Sequence, residues 1–331
     1  MTSNPKVSII IPIWGVERYI ERCAKSLFEQ SFDSIEYIFV NDCTPDNSIQ
    51  ILHDIIELYP NRKNNIRIIN HDKNKGVLEA RHTGIKHASG DYIIHCDSDD
   101  WVDNNWIEAL YKETELKGAD LVWCDYFKNF SDDQEIRISM ATALEKSESL
   151  KSVLSTERIG SLWSSLVKRN IVTHKDIIPA KGNYGEDVML IMQYIIYCKK
   201  QAYLNNAFYH YRVNNQSITQ NQDKEIIYRN MESMIEHNKM IQEICASNGF
   251  LKVIKPVSLG RMFRAKDKIL QLYSNDSEAA KAWKKFHSEL SYFNLLESNL
   301  SVKQKIYGTI IFSGLYPVVN KLYNIRKRLV W

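Results

Sequence analysis

Residues 90–101 read GDYIIHCDSDDW, an apolar run that ends at three carboxylates within four positions. The apolar half is typical of a buried strand in a parallel sheet, and the acidic half marks the point where that strand leaves the core. Crowded carboxylates repel one another, so a bound cation would stabilise them, and a divalent metal holding a phosphorylated ligand is one candidate. Alternatively, Asp97 ends the strand while Asp99, Asp100 and Asp103 lie around the N-terminus of the next helix, where the helix dipole favours negative charge.

The composition is that of an ordinary folded protein. The chain has 331 residues and a net charge of +3, from 43 Lys or Arg and 40 Asp or Glu. Basic and acidic residues are interleaved along most of the chain, so no nucleic-acid partner is expected. The six cysteines lack the Cys-x-x-Cys spacing of a zinc or redox site, and the N-terminus does not resemble a signal peptide. We therefore expect reduced cysteines and a cytoplasmic protein.

On both sides of the acidic stretch, apolar runs rich in β-branched residues alternate with segments whose apolar residues recur at helical spacing. Strands are predicted at 7–13, 36–40, 66–69, the opening stretch and 120–124, with helices at 17–30, 49–58, 77–87 and 106–116. This alternation is typical of a parallel sheet with helices on both faces, in which ligands bind at the carboxyl ends of the strands. Three of those ends carry polar loops that begin at Trp14, Asn41 and Asp97, and these loops should converge on one site.

After Tyr126 the alternation stops. Residues 148–171 have helical spacing, a glycine-bearing loop precedes an apolar helix at 188–197, and 201–213 is strand-like. From about residue 224 onward the pattern is helical. We therefore place a boundary near residue 222, with an α-helical C-terminal region at 223–331.

Five short motifs occur in order along the first two-thirds of the chain. They are VSIIIPIW at 7–14, VNDCTPD at 40–46, ARHTG at 80–84, DSDD at 97–100 and GEDV at 185–188. Together they resemble the family 2 glycosyltransferases of the GT-A fold. A single Asp-x-Asp would carry little weight, whereas five motifs in order are specific. The resemblance implies an α/β, Rossmann-like GT-A domain at 1–222, with a mostly parallel sheet, a nucleotide half at about 1–126 and an acceptor half at about 127–222.

The resemblance implies a nucleotide-sugar donor, and a UDP-sugar is expected. Pro12 and Trp14 would line the nucleobase pocket. Asp42 would accept a hydrogen bond from the base, since a carboxylate supplies the acceptor that the imide N–H of uracil needs. From the residues alone, Asp42 and Asp46 could instead cap the following helix, and Arg81 could lie on a solvated face. The remaining residues assigned to the nucleotide sugar are Glu17, Asn74, Arg81, Asp97, Ser98 and Arg212.

The resemblance also implies a metal and a base. Asp97 and Asp99 would bind Mn²⁺ or Mg²⁺ at the donor diphosphate, and oxygen ligands suit these hard cations. Asp187 would be the base that removes a proton from the acceptor hydroxyl, on the face opposite the leaving group, as inversion requires. From the residues alone, helix capping explains Asp187 as well. Supporting or acceptor-orienting roles are assigned to Asp100, Glu186 and Ser217.

The expected function is transfer of a single sugar to a saccharide or lipid-linked saccharide acceptor, in cell-surface polysaccharide biosynthesis of the capsule or lipopolysaccharide type. Asn41 and Gly15 depart from the family pattern, which leaves donor specificity open. The Gln-x-x-Arg-Trp sequence of processive members does not occur. Two alternatives remain: a nucleotidyltransferase of similar fold, which would need a glycine-rich loop after the first strand, and a non-catalytic saccharide-binding module.

The end of the chain has a distinct composition. From Ser301 onward there are six basic residues and no acidic one, around an apolar run at 306–319. This run is shorter than the roughly 20 residues that span a bilayer, and Pro317 interrupts it. Two interpretations remain open. Residues 301–331 lie on an anionic membrane surface at the inner face of the cell membrane, or they form a final helix that packs on the core.

Overall fold

The computed structural model describes residues 4–131, 134–155, 160–182, 184–213, 223–318 and 320–321. The chain separates into two units, Met1–Asn214 and Asn215–Trp331. The boundary predicted near residue 222 and the predicted site residue Ser217 both lie outside the described residues.

One sheet forms the centre of the first unit. Its strands are β1 Val7–Ile13, β2 Ile35–Asn41, β3 Ile66–Asn70, β4 Tyr92–His95, β5 Trp101–Val102, β6 Leu121–Ser131, β7 Gln134–Ile138, β8 Ser165–Lys168 and β9 Gln201–Arg212. Their order is β3-β2-β1-β4-β8-β6-β9-β5, and β7 pairs with β6. Strands β1 to β4 pair in parallel. Strand β8 runs antiparallel to both β4 and β6, so the sheet as a whole is mixed.

Helices connect these strands. They are α1 Ile20–Phe28, α2 Ser48–Leu58, α3 Val77–His87, α4 Trp106–Lys117, α5 Lys146–Ser155, α6 Arg169–Val172 and α7 Glu186–Tyr197. The buried residues of α1 are Ile20, Cys23, Ala24, Leu27 and Phe28, which recur at the spacing of one helical face. Strand β1 is buried along its whole length, as expected of a central parallel strand covered on both sides.

The predicted α/β class with an α-helical C-terminal region is confirmed, and one segment differs. The helical interpretation of residues 148–171 is wrong for Ser165–Lys168, which form β8. Because this strand has only four residues, it is too short for its alternation to be distinguished from one helical turn. Strand β8 separates β4 from β6, so the strand predicted at 120–124 is not the parallel neighbour of β4.

The second unit is helical throughout its described residues. Its helices are α8 Lys224–Ser247, α9 Leu251–Leu270, α10 Asp276–Lys285, α11 Tyr292–Glu297 and α12 Val302–Ser313. Side chains cap several N-termini: Asp223 accepts hydrogen bonds from the first turn of α8, and Ser301 does so for α12. Helix α9 packs against α8, α10 and α11. Within the described ranges, no helix is both long enough and apolar enough to cross a membrane.

A buried carboxylate holds the start of β4 against β1 and β2. Glu36 Oε1 accepts hydrogen bonds from the Ser8 hydroxyl at 2.6 Å and from the Ser89 backbone N–H at 2.6 Å. The Gly90 N–H donates to Ser8 Oγ at 2.9 Å. A Cβ on Gly90 would lie 2.7 Å from the Ser8 backbone nitrogen, so only glycine fits this approach. This network fixes the strand that leads into the acidic loop.

We therefore expect Gly90→Ala to lower the free energy of unfolding by about 1–3 kcal/mol, because the added methyl group displaces the β1 backbone. Urea unfolding followed by circular dichroism measures the change. Ser89→Ala is the control, since it removes one hydrogen-bond donor and adds no atom near Ser8. It should cost about 1 kcal/mol. Equal stability of Gly90→Ala and the unmodified protein would contradict this account of the β4 start.

Candidate active site

The polar loops that follow β1, β2 and β4 meet at one edge of the sheet. The Ser98 hydroxyl, after β4, donates to the Pro12 carbonyl oxygen of β1 at 2.6 Å. The Gly15 N–H donates to Thr44 Oγ1, after β2, at 2.8 Å. The three strand ends that the sequence marked as polar therefore form one surface, as the rule for parallel sheets predicts.

Arg81 of α3 lies at the centre of this surface and binds three carboxylates. Its Nη1 atom donates to Glu186 Oε1 at 2.7 Å and to Asp187 Oδ1 at 2.5 Å. Its Nη2 atom donates to Asp97 Oδ1 at 2.9 Å. The Arg81 side chain is only 4% exposed, whereas those of Asp97 and Asp187 are 29% and 24% exposed. The guanidinium is thus buried beneath carboxylates that still face solvent.

The charges of this cluster do not balance. Burial would lower the pKa of Arg81, but the carboxylates of Asp187, Asp97 and Glu186 outweigh it and raise that pKa above its ordinary value. Burial raises the pKa of Asp187 well above its usual range, and Glu186 and Asp97 add to the rise although Arg81 opposes it. One guanidinium faces three carboxylates, so Asp187 has a raised affinity for a proton.

Gly185 determines how Glu186 and Asp187 enter the cluster. Its backbone has φ +79°, in the left-handed region, and it is the residue that precedes the first turn of α7. Glu186 and Asp187 are the first two residues of that helix, where the dipole stabilises negative charge. The sharp turn and the helix start together place the two carboxylates in adjacent positions on Arg81.

Tyr209 of β9 holds the acidic loop in shape. Its hydroxyl donates to Asp100 Oδ2 at 2.7 Å and accepts from the Asp97 backbone N–H at 3.0 Å. The Arg212 backbone N–H donates to Asp100 Oδ1 at 2.7 Å. Tyr209 is fully buried, and its ring stacks on Trp163 with a centroid distance of 4.3 Å. Both Asp100 oxygens are thus bound within the protein.

Asp99 has different surroundings from its two neighbours. It forms no hydrogen bond or ion pair with another residue in the described part of the chain. Burial, with a smaller contribution from Asp97, raises the pKa of Asp99 to about 6. A half-buried carboxylate with a raised pKa gains stability when a cation binds to it.

Asp42, which follows β2, is bound to the loop after β3. His71 Nδ1 lies 2.7 Å from Asp42 Oδ1, and the backbone N–H groups of Lys75 and Gly76 donate to Asp42 at 2.8 Å and 2.7 Å. A carboxylate offers about four acceptor positions, so these contacts leave capacity for about one more hydrogen bond. The helix-capping alternative applies to Asp46, which accepts from the Ser48 backbone N–H at 3.1 Å.

The remaining predicted residues lie on β1, in the neighbouring loops and at the end of β9. Trp14 is 55% exposed beside the buried Pro12. Glu17 and Asn74 are exposed; Glu17 accepts a hydrogen bond from the Asn47 backbone N–H, and Asn74 accepts one from the Gly76 backbone N–H. The guanidinium of Arg212 lies over the ring of Trp101, with 4.9 Å between the guanidinium carbon and the ring centroid.

Two residues of the site were missed by the sequence reasoning. His71 directly follows β3, so the rule that polar residues mark strand ends could have found it. Tyr209 carried no such signal, because it lies within an aromatic strand and reaches the acidic loop only through the pairing of β9. Its contact with Asp97 joins residues 112 positions apart.

A second cluster, in the second unit, has ligand-type side chains. Oxygen and nitrogen atoms of Glu236, His287 and Glu289 lie within 4.8 Å of one another. Lys239 Nζ lies 2.7 Å from Glu236 and 2.5 Å from Glu289, so an ammonium group already balances these carboxylates. The cluster is therefore an ion-pair network of the helical unit.

Comparison with known proteins identifies the class of enzyme that this site defines. The sequence profile described as Glycosyl transferase family 2 matches residues 8–173. EpsJ of Bacillus subtilis, named an uncharacterized glycosyltransferase, is 34% identical over 223 residues, which are 65% of this chain and 63% of EpsJ. The aligned part thus spans somewhat less than two-thirds of that relative. The chain belongs to glycosyltransferase family 2.

Solved structures share the fold at low sequence identity. TarS of S. aureus, in a complex with UDP-GlcNAc, aligns with a TM-score of 0.66 at 16% identity, over 96% of this chain and 91% of that one. The mannosyltransferase PcManGT of Pyrobaculum calidifontis, in a complex with GDP-Man and Mn²⁺, aligns with a TM-score of 0.53 at 14% identity, over 98% of this chain and 88% of that one. The GT-A fold is thereby confirmed.

We expect Tyr209→Phe to destabilise the protein by about 1–3 kcal/mol, since it leaves the buried Asp100 carboxylate with one partner fewer. Thermal unfolding measures this loss. Tyr228→Phe is the matched control, because the Tyr228 ring packs on Phe286 and is 42% exposed. A Tyr209→Phe variant as stable as the control variant would show that the hydroxyl does not hold the acidic loop.

Proposed function

We propose that this protein is an inverting, metal-dependent glycosyltransferase that moves one sugar from a UDP-sugar to a saccharide or lipid-linked saccharide acceptor. The family resemblance implies a role in cell-surface polysaccharide biosynthesis at the inner face of the cell membrane. The predicted nucleotide half, at about 1–126, binds the donor, and the predicted acceptor half, at about 127–222, binds the acceptor.

The observation that carries this proposal is the arrangement around Arg81. It places Asp97, from the donor half, and Asp187, from the acceptor half, on two nitrogens of one guanidinium. A residue that holds the donor and a residue that accepts a proton must lie on opposite sides of one reacting carbon. Because Asp97 and Asp187 bind the same guanidinium, they lie close enough together to act on one reacting carbon.

The surroundings of Asp99 and Asp97 fit a hard divalent cation. Asp99 offers a half-buried carboxylate that no other described side chain binds, and Asp97 uses its Oδ1 atom for Arg81. These are oxygen ligands, which Mn²⁺ and Mg²⁺ prefer, and the donor diphosphate supplies further oxygens. When bound, such an ion stabilises the charge that develops on the departing nucleoside diphosphate. The PcManGT complex with Mn²⁺ supports this assignment by analogy of fold.

The protein's own residues supply the remaining chemistry. The acceptor hydroxyl oxygen bonds to the anomeric carbon while the bond from that carbon to the diphosphate oxygen breaks, and the hydroxyl proton passes to Asp187. The raised pKa of Asp187 makes it a stronger base than an exposed aspartate. Arg81, together with the start of α7, keeps this carboxylate in place. Asp42 has capacity for one more hydrogen bond and would use it for the uracil N–H.

Asp187→Asn is expected to lower transfer by about 10²–10⁴-fold, because asparagine cannot accept the hydroxyl proton. Binding of UDP, measured by calorimetry, should stay near that of the unmodified protein. Asp176→Asn is the control, since Asp176 is exposed in the same unit. Full transfer activity in the Asp187→Asn variant would show that Asp187 is not the base.

Donor class is tested by incubation with a panel of UDP- and GDP-sugars in Mn²⁺, with the released product identified. A glycosyltransferase releases a nucleoside diphosphate. A nucleotidyltransferase would release no nucleoside diphosphate from these donors but would release pyrophosphate from UTP and a sugar 1-phosphate, which are assayed in parallel, and a saccharide-binding module would release neither. Release of pyrophosphate, or of no product with any donor and acceptor, would overturn the proposal.

Metal-dependent UDP binding should weaken at acidic pH. The pKa of Asp99 is raised to about 6, so its carboxylate is ionised at pH 7.5 and mostly protonated at pH 5. Because a proton competes with the metal, the affinity for UDP in Mn²⁺ is expected to fall by about tenfold over this range. Asp99→Asn removes the titrating group and should bind weakly at both pH values. Equal affinity of the unmodified protein at pH 5 and 7.5 would contradict the role of Asp99.

A further inference from the structure

The second unit leaves a row of apolar side chains in solvent on α11 and α12. Val302 and Phe293 are each 75% exposed, Ile306 is 56% exposed and Leu296 is 45% exposed. We call these four side chains the α11–α12 face. Single exposed apolar residues are common on protein surfaces, whereas a group on adjacent elements indicates an interaction surface.

Helix α12 cannot turn these residues inward, because its opposite side is already packed. Ile311 is fully buried, and a Cβ on Gly308 would lie 2.7 Å from Leu295 Cδ2 of α11. Phe312 contacts Trp283 of α10 edge to face, with a centroid distance of 5.0 Å. Packing on the core, the second interpretation of the tail, therefore describes one side of α12. The other side has no partner among the residues that the structure describes.

Lysines flank this face on α12, and the one acidic side chain of α11, Glu297, is paired with Lys255 Nζ at 2.8 Å. Val302 and Ile306 lie one helical turn apart on α12. Lys303 directly follows Val302, and Lys305 directly precedes Ile306. The two lysines therefore flank the apolar row on both sides. Lys305 Nζ also donates to the Leu296 carbonyl oxygen at 2.8 Å. No acidic residue occurs from Ser301 to the end of the chain.

We propose that the α11–α12 face binds the surface of an anionic lipid bilayer, with α12 lying in the plane of the membrane. An apolar row between lysines suits the boundary between acyl chains and negatively charged headgroups. Helix α12 has 12 residues and is about 18 Å long, too short to span the hydrocarbon core. This inference rests on the proposed function in one respect: membrane binding brings the enzyme to a lipid-linked acceptor.

A second copy of this chain suits the face less well. In a two-fold dimer the same surface meets itself, so Lys303 and Lys305 of both copies would face one another, and the one acidic residue of α11, Glu297, is already paired with Lys255. Lipid phosphates supply the missing negative charge. The charge pattern therefore favours the membrane.

Vesicle co-sedimentation of the full chain, without nucleotide or metal, tests the proposal. Vesicles of phosphatidylcholine with phosphatidylglycerol are compared with phosphatidylcholine alone. The unmodified protein should bind the anionic vesicles, and added salt should weaken binding because it screens the lysines. The double variant Val302→Ser with Ile306→Ser should bind at least about tenfold more weakly, since two apolar side chains no longer enter the interface.

The matched control is Leu58→Ser with Leu116→Ser, because these leucines are 66% and 69% exposed on helices of the first unit. It should bind as the unmodified protein does, and thermal unfolding should confirm that both double variants fold. Absence of vesicle binding, or equal binding by the Val302 and Ile306 variant, would overturn the proposal. A concentration-dependent dimer that this variant abolishes, without vesicle binding, would assign the face to a second copy. These measurements need no sugar transfer, so they fail or succeed independently of the proposed activity.

Discussion

One buried guanidinium keeps three carboxylates together at the edge of the sheet. Arg81 is the residue suited to this task, because its side chain stays charged when buried and donates in a fixed fork. It brings residue 97 next to residues 186 and 187, which are otherwise joined only through some ninety residues of chain. Since the negative charges exceed the positive ones, the site is left with an affinity for protons and cations. Both are required by a reaction that deprotonates an alcohol and releases a diphosphate.

The three aspartates of the acidic loop show that residue type alone does not determine the role of a residue. Asp97, Asp99 and Asp100 are the same residue in one short loop, yet one binds Arg81, one has no partner among the described side chains, and one is fixed by Tyr209 and the Arg212 backbone. The difference comes from β9, which supplies both contacts to Asp100. A carboxylate saturated by internal hydrogen bonds has little left to offer a ligand, whereas one without a partner is available to a cation.

The parts of the fold that could be predicted from the sequence are those with local patterns. The apolar runs of β1, β2 and β4 and the polar residues at their ends identified the edge where the loops of Trp14, Asn41 and Asp97 meet. Strand β8 was missed because four residues carry too little periodicity. Tyr209 was missed because a strand pattern shows which side chains share a face but does not show which strand lies beside it. The partners of Asp100 depend on such pairing, and the sequence holds no local sign of it.

The long range of these contacts has a consequence for how the protein acquires its structure. Strands β1, β2 and β3 pair with partners about 30 residues away along the chain, so their loop-closure costs are small. Strand β9 pairs in parallel with β6 across about eighty residues and must dock before Tyr209 can reach the acidic loop. A nascent chain that has not yet emerged through residue 212 can therefore build the first sheet pairs but not the constrained loop. The proposed affinity for a metal and a donor should be among the last properties that the folding polypeptide gains.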